Sequence, residues 1–380
     1  MMKGLNLLYK PYSSGKELNY IREVIDSGRV SGRGVFTRKC ELFFEQKYGF
    51  KKALLTSSCT SALEMIALLL DIREGDEVIL PSFTFPSTAN AFALRGAKLV
   101  FADSGPFSPN VTAKEMAPLI TPKTKAIVVV HYAGIACEMD ELLKLRDQFN
   151  LYLVEDAAQA IDAYCGNRPL GTFGCMSAFS FHGTKNITSG EGGLLVVNDE
   201  RFFERSEIVL NKGTNYSDFM NGKVDKYEWK ELGSSFSASE ITAAYLLAQL
   251  EDIEKVQAKR LRLWDDYFCR LEPLAIQNRI RLPHVPEGAR YNAHLFYIVC
   301  SSKDERNRLM AFLREAGFPS SFHYSSLNRS LFFNSQYKGK ELFNSDRYSD
   351  CLLRLPLSYY MDNSDVANAS NAILAFYDTV

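Results

Sequence analysis

Seven short apolar runs in the first half of the chain constrain its fold more than any other feature. They cover residues 53–56, 77–81, 98–102, 126–131, 151–155, 177–181 and 194–197. Most are continuous Val, Ile, Leu and Phe stretches rather than alternating ones. That is the pattern of strands buried on both faces of a mainly parallel sheet. Helical patterns stand between several of them, at 59–70 and 138–148. Strand and helix in alternation predict an α/β domain.

The second half reads differently. Ser237 followed by Glu240 has the spacing of a capping box. From Ser239 a helical pattern runs to about Leu271 without Gly or Pro, longer than an ordinary globular helix, and is expected to link two domains. Strands at 279–282 and 294–300 and helices at 304–315 and 364–377 follow. The expectation is a large domain over 1–250 and a small α+β domain over 251–380.

Composition narrows the partners. Lys plus Arg number 44 and Asp plus Glu 45, for a net charge of -1. A chain this neutral has no global field for nucleic acid or an anionic membrane. Unbroken apolar runs stop at about six residues, as in 65–70, where a spanning helix needs about 20. The first residues lack the apolar stretch of a signal peptide. A cytosolic protein is expected. The eight cysteines form no C-x-x-C pair, and the five histidines never stand three or four apart. No protein-bound metal is expected.

Three features carry chemistry. Thr56, Ser57, Ser58, Cys59, Thr60 and Ser61 form a hydroxyl-rich strand-to-helix turn. Such a turn suits phosphate as well as an ordinary N-cap. Asp156 ends an apolar strand, where ligands of open α/β sheets bind, so its carboxylate suits a cationic ring nitrogen; the alternative is an acid at a helix start. Lys185 follows an apolar strand and precedes Gly190, Gly192 and Gly193. A desolvated lysine has a lowered pKa and forms a Schiff base with an aldehyde, though most lysines are solvated surface groups. A phosphate turn, an acid for a ring nitrogen and a lysine after a strand are together what pyridoxal phosphate requires of its protein.

In the same order stand LLTSSCTSAL (54–63), GDEVILPSFTFPSTAN (75–90), VHYAG (130–134), VEDAAQ (154–159) and SFHGTKNITSGEGG (180–193). On these stretches the chain resembles the DegT/DnrJ/EryC1/StrS aminotransferases, over nearly its whole length. The resemblance implies the aspartate-aminotransferase fold (pyridoxal-phosphate fold type I), a mixed, mostly parallel seven-stranded sheet in a large domain plus a small C-terminal α+β domain. It makes Lys185 the Schiff-base lysine and proton carrier and Asp156 the partner of the pyridinium nitrogen. Gln159 would bond the ring hydroxyl and Phe85 would stack on the ring. Thr60, Ser61 and Ser180 would hold the phosphate. Ser237 stands where many relatives use an Asn of the partner subunit for that phosphate. His131, Tyr132 and His323 are implied substrate contacts, with His294 a further candidate.

LTSSCTSALEMIALLLDI (55–72), HYAGIACEMD (131–140) and VDKYEWKELGSS (224–235) carry a finer likeness. It implies that L-glutamate aminates TDP-4-keto-6-deoxyglucose at C-4, giving TDP-4-amino-4,6-dideoxygalactose and 2-oxoglutarate, in a homodimer serving surface-polysaccharide synthesis. Amination at C-3, the gluco epimer and a non-catalytic regulator on the same scaffold are the alternatives. Lys185 argues against the related dehydratases, which carry His at that position. Gly32 and Gly34 are too little of a dinucleotide fingerprint to imply NAD.

Overall fold

The computed structural model describes residue 8 and residues 10–379 except 336. Its strands are β1 (Ala53–Thr56), β2 (Glu77–Pro81), β3 (Lys98–Ala102), β4 (Thr124–Val130), β5 (Tyr152–Asp156), β6 (Tyr164–Cys165), β7 (Arg168–Pro169), β8 (Met176–Ser180), β9 (Gly193–Val197), β10 (Ala289–Arg290), β11 (Phe296–Val299) and β12 (Leu352–Leu355). Seven of them form the central sheet, in the order β1-β9-β8-β5-β4-β2-β3. β9 runs antiparallel to both its neighbours, and every other pair is parallel. The expected mixed, mostly parallel sheet is therefore present, with each of its strands within two residues of the run that predicted it.

The apolar runs are continuous because each face of the sheet is covered. Leu55, Ile127, Val129 and Leu153 pack on one side with residues of helices Val35–Tyr48, Met139–Phe149 and Glu240–Leu250. Leu54, Ala126, Val128 and Val154 pack on the other with helices Cys59–Leu69, Pro86–Ala93 and Phe203–Leu210. Successive side chains of a strand point to opposite faces, so a strand covered on both sides carries no polar alternation. A separate core gathers Trp264, Tyr267, Phe296, Ile298, Leu353, Leu355 and Ile373. It lies between the β11–β12 pair and helices Ile253–Ile276, Lys303–Glu315 and Asn363–Asp378. Among the described residues no helix is long and apolar enough to cross a membrane.

Three expectations of the second half are corrected. The single helix from 239 to 271 is two, Glu240–Leu250 and Ile253–Ile276. Tertiary contacts hold the break: Lys16 and Tyr20 bond Glu251, and Tyr12 bonds Asp252. The second helix continues through Pro273 rather than stopping before it. The capping box is not formed either. The N-cap is Ser239, whose Oγ accepts from Thr242 N. Glu240 instead accepts from Gly34 N (2.9 Å), Phe36 N (2.8 Å) and Thr37 N (3.0 Å), so it caps the distant helix Val35–Tyr48. Residues 279–282 contribute only a bridge from Arg281 to Val299, because β11 takes β12 as its full partner.

Candidate active site

The carboxyl ends of the parallel strands open on a cavity of about 500 Å³. β5 delivers Asp156 to it, between Val130 of β4 and Ala178 of β8. Thr88 Oγ1 donates to Asp156 Oδ2 (2.7 Å), and Ala158 N donates to Oδ1 (3.1 Å). Burial pushes the Asp156 carboxyl above its ordinary range, against these bonds and against Lys185. Lys185 sits in the turn after β8, its N–H donating to His182 O (2.9 Å). Desolvation lowers its pKa, while Cys59 and Asp156 oppose the shift. Both groups thus pay for lacking water, the environment that suits an amine nucleophile and a carboxylate awaiting a cation.

Two helix N-termini face the same space. Ser58 caps helix Cys59–Leu69 by accepting from Ser61 N (3.0 Å). Phe85 precedes helix Pro86–Ala93, which has proline in its first turn and no side-chain cap. Thr60 Oγ1 donates to Ser87 Oγ (2.8 Å) and ties the two together. Unpaired backbone N–H groups and hydroxyls at such ends bind phosphate. The turn lies this close to β9 because residue 193 is glycine: a Cβ there would stand 2.3 Å from the Ser58 carbonyl carbon.

The other proposed residues divide into those lining the cavity and those beneath or beyond it. Gln159 lines it; its Oε1 accepts from Ala133 N (2.7 Å), and its Nε2 donates to Tyr324 OH (3.0 Å). That arrangement aims the amide's donor side at the cavity. Phe85 stands at the mouth, 56% exposed, 6.0 Å from the Tyr324 ring. Thr60, Ser180 and His323 also line the space. Ser61 does not: its hydroxyl turns to Ser57 (2.9 Å) and Ser58 (3.0 Å). Ser237 bridges Thr56 on the far side of β1 and is not in this chain's own cavity.

His131 and Tyr132 are corrections to the substrate contacts. His131 is 0% exposed; its Nδ1 accepts from Cys137 N (3.2 Å), so its Nε2 carries the proton and donates to Glu155 (3.0 Å). Both ring nitrogens are spent inside the protein. Tyr132 is buried, packed against Phe83, Tyr297 and Tyr324, and its hydroxyl meets His323 Nδ1 (3.1 Å). It supports the wall rather than forming it.

The wall built from the segments around 323–324 and 354 contains residues that sequence reasoning missed, Tyr324 and Arg354. Arg354 Nη1 donates to His323 Nε2 (2.6 Å), which leaves Nδ1 as the donor to Tyr132. Desolvation, then the Arg354 and Lys185 charges, push His323 well below its ordinary pKa, so it is neutral. Its ring stacks on Tyr324 at 4.2 Å. Ser87 and Thr88 lie in the stretch 83–88, which is expected to line the pocket, but neither is singled out in the sequence. Their signal was the hydroxyl-rich PSTAN stretch at the start of a helix.

The residues fit pyridoxal phosphate. The hydroxyl-lined helix ends suit its phosphate, Asp156 its ring nitrogen, Gln159 its ring hydroxyl and the open face of Phe85 its ring, with the Lys185 amine in the same cavity. When bound, this group serves as an electron sink for amino-group transfer.

A protein of Methanocaldococcus jannaschii, uncharacterized protein MJ1066, is 30% identical over 376 residues, 96% of each chain. Among solved structures, the aminotransferase TlmJ of Streptoalloteichus hindustanus superposes with a TM-score of 0.90 at 27% identity, covering 98% of both chains. DesV of S. venezuelae gives 0.88 at 27% identity, covering 96% of this chain and 95% of that one. The fold is thus the aminotransferase fold. The model of the DegT/DnrJ/EryC1/StrS aminotransferase family matches residues 11–374, and the chain belongs to that family of pyridoxal-phosphate-dependent sugar aminotransferases.

Proposed function

We propose that the protein transfers the amino group of L-glutamate to C-4 of TDP-4-keto-6-deoxyglucose, giving TDP-4-amino-4,6-dideoxygalactose and 2-oxoglutarate. The observation that carries the transamination is one cavity lined by a desolvated lysine, a buried carboxylate and hydroxyls at a helix N-terminus. In this reading Lys185 binds the cofactor, accepts the proton from the donor's α-carbon and returns a proton to the sugar carbon. Asp156 keeps a proton on the ring nitrogen, Gln159 orients the ring, and Thr60 and Ser180 hold the phosphate. Donor and keto sugar use one site in turn, so ping-pong kinetics follow. The choice of sugar, carbon and epimer rests on the finer sequence likeness at 55–72, 131–140 and 224–235.

A homodimer with the active site near the interface belongs to the same reading. Trp229 is 75% exposed and Leu232 57%, on a loop whose Tyr216, Phe219 and Tyr227 pack edge to face. Exposed aromatic side chains on a long loop suit a partner surface. Ser237 at the end of that loop would then serve the partner's phosphate site. Light scattering on active enzyme should give twice the chain mass, and a single-chain mass would contradict this. For the substrate, incubation with glutamate and TDP-4-keto-6-deoxyglucose, followed by NMR of the product, should give the axial 4-amino sugar. A 3-amino product or the gluco epimer would overturn the regiochemistry and leave the aminotransferase standing.

A further inference from the structure

The first turn of helix Pro86–Ala93 ties two parts of the cavity together. Ser87 Oγ accepts from Thr60 on the hydroxyl-rich turn (2.8 Å), and the next residue, Thr88, reaches Asp156. Thr88 Oγ1 donates to Asp156 Oδ2 at 2.7 Å, and the same oxygen lies 2.9 Å from Thr84 Oγ1. A threonine hydroxyl has a single proton to give. While Asp156 is ionised, the Thr88 proton is spent on Oδ2, so the Thr84 hydroxyl must be the donor to Thr88. The three side chains therefore form a chain with one direction, from Thr84 through Thr88 to Asp156. Thr84 and Thr88 are each 1% exposed and Asp156 5%, a setting in which hydrogen bonds are stronger than in water and polarise one another. The backbone keeps both hydroxyls in place. Thr84 N donates to Ser82 O and Thr88 N to Phe85 O, both at 3.1 Å. The other carboxylate oxygen, Oδ1, is held by Ala158 N (3.1 Å), which can only donate.

We propose that Thr88 is a positioning residue for Asp156: its hydroxyl, itself the acceptor of the Thr84 proton, holds the carboxylate as an oriented anion before a ligand enters the cavity. The proposal rests on, and deepens, the reading of Asp156 as the carboxylate that meets the ring nitrogen. The hydroxyl and the N–H bonded to Asp156 are both neutral. They favour the charged form without cancelling its charge, so a cationic ligand finds an anion already in place. Burial pushes the Asp156 carboxyl up, and the Thr88 bond is the largest influence against it, ahead of Ala158 N, Lys185 and His131. The titratable groups that face Asp156 are Lys185, His131, Cys59 and Tyr324. None of them takes the place of the hydroxyl on Oδ2.

The test reads the titration of Asp156 in the cofactor-free full chain, by carbon NMR of protein labelled at the aspartate carboxyl carbons. The Asp156 signal is the one missing from Asp156→Asn. Thr88→Val keeps the branched shape and loses the donor, so the midpoint should rise by about one pH unit, a roughly tenfold weaker acid. Thr88→Ser restores the hydroxyl and should stay within about twofold of wild type, roughly 0.3 of a unit. Thr84→Val leaves Thr88 its own proton but removes the one it accepts, and should raise the midpoint by about half a unit, roughly threefold. If Thr88→Val does not fold, as judged by circular dichroism, Thr88→Ala replaces it. An Asp156 midpoint unmoved by loss of the Thr88 hydroxyl overturns the proposal. An equal rise in Thr88→Ser also overturns it, since packing alone would then be responsible. No rise in Thr84→Val overturns the directed chain. A donor half-reaction that Asp156→Asn does not slow would remove the ring-nitrogen reading while leaving this titration measurable.

Discussion

Replacing Asp156 by Asn separates its electrostatic role from its structural one. In the folded chain the carboxylate makes two bonds, to Ala158 N at 3.1 Å and Thr88 Oγ1 at 2.7 Å. An Asn keeps the oxygen for Ala158. Its amide nitrogen meets Thr88 Oγ1, which can accept because its own hydrogen has Thr84 Oγ1 at 2.9 Å. Both contacts survive, so the cost to folding is about 1 kcal/mol or less. The function loses far more. Two unit charges about 4 Å apart at an effective dielectric near 20 interact by about 4 kcal/mol. If that interaction with the protonated ring nitrogen is expressed in the transition state, turnover falls by roughly a thousandfold. The assay is the single-turnover donor half-reaction followed by cofactor absorbance, beside a thermal melt of the same samples. A rate within tenfold of wild type, with an unchanged melt, would mean that Asp156 is only an end-of-strand cap.

Glu240→Ala leaves the N–H groups of Gly34, Phe36 and Thr37 without their buried acceptor; denaturant unfolding should show a loss of roughly 3–5 kcal/mol, and a loss below about 1 would refute the long-range cap. Thr60→Ala and Ser180→Ala each remove one hydroxyl from the cavity wall and should weaken cofactor retention in equilibrium dialysis by about tenfold, a hydrogen bond of about 1.4 kcal/mol. Unchanged retention in both would move the phosphate elsewhere. Lys185 has a folded pKa below its ordinary value of 10.5, so between the two the unfolded chain binds the extra proton and stability rises with pH. Lys185→Met should flatten that rise in cofactor-free protein on the alkaline side, and an identical pH slope would contradict the desolvated amine.

The parts legible in the sequence were those that local pattern determines. The strands of the sheet were read almost residue for residue because their side chains face cores on both sides, and nothing but apolar residues satisfies that. Lys185, Asp156 and the hydroxyl turn were legible because each lies at or just past the end of such a strand, whereas Gln159 was named only through the family resemblance. What failed depended on partners far away in sequence. Glu240 looked like a local cap and serves residues 203 to 206 positions distant. His131 looked like a substrate contact, but Glu155 of the adjacent strand, also bonded to Gly171, Phe173 and Gly174, takes its proton donor. Arg354 enters the site from β12, a strand too short to stand out from the helix before it. His294 is fixed by Asn186, whose amide nitrogen donates to Gln257 Oε1 and Asn292 O and whose oxygen faces His294 Nδ1, a chain that no spacing in the sequence announces.

The central claim is that Lys185 carries the cofactor in a cavity completed by Asp156. Borohydride reduction of the purified enzyme, followed by peptide mapping, tests it most directly. The account predicts a single pyridoxyl group on Lys185, absent from Lys185→Ala although that variant still takes up the cofactor. Recovery of the pyridoxyl group on another lysine would contradict the account.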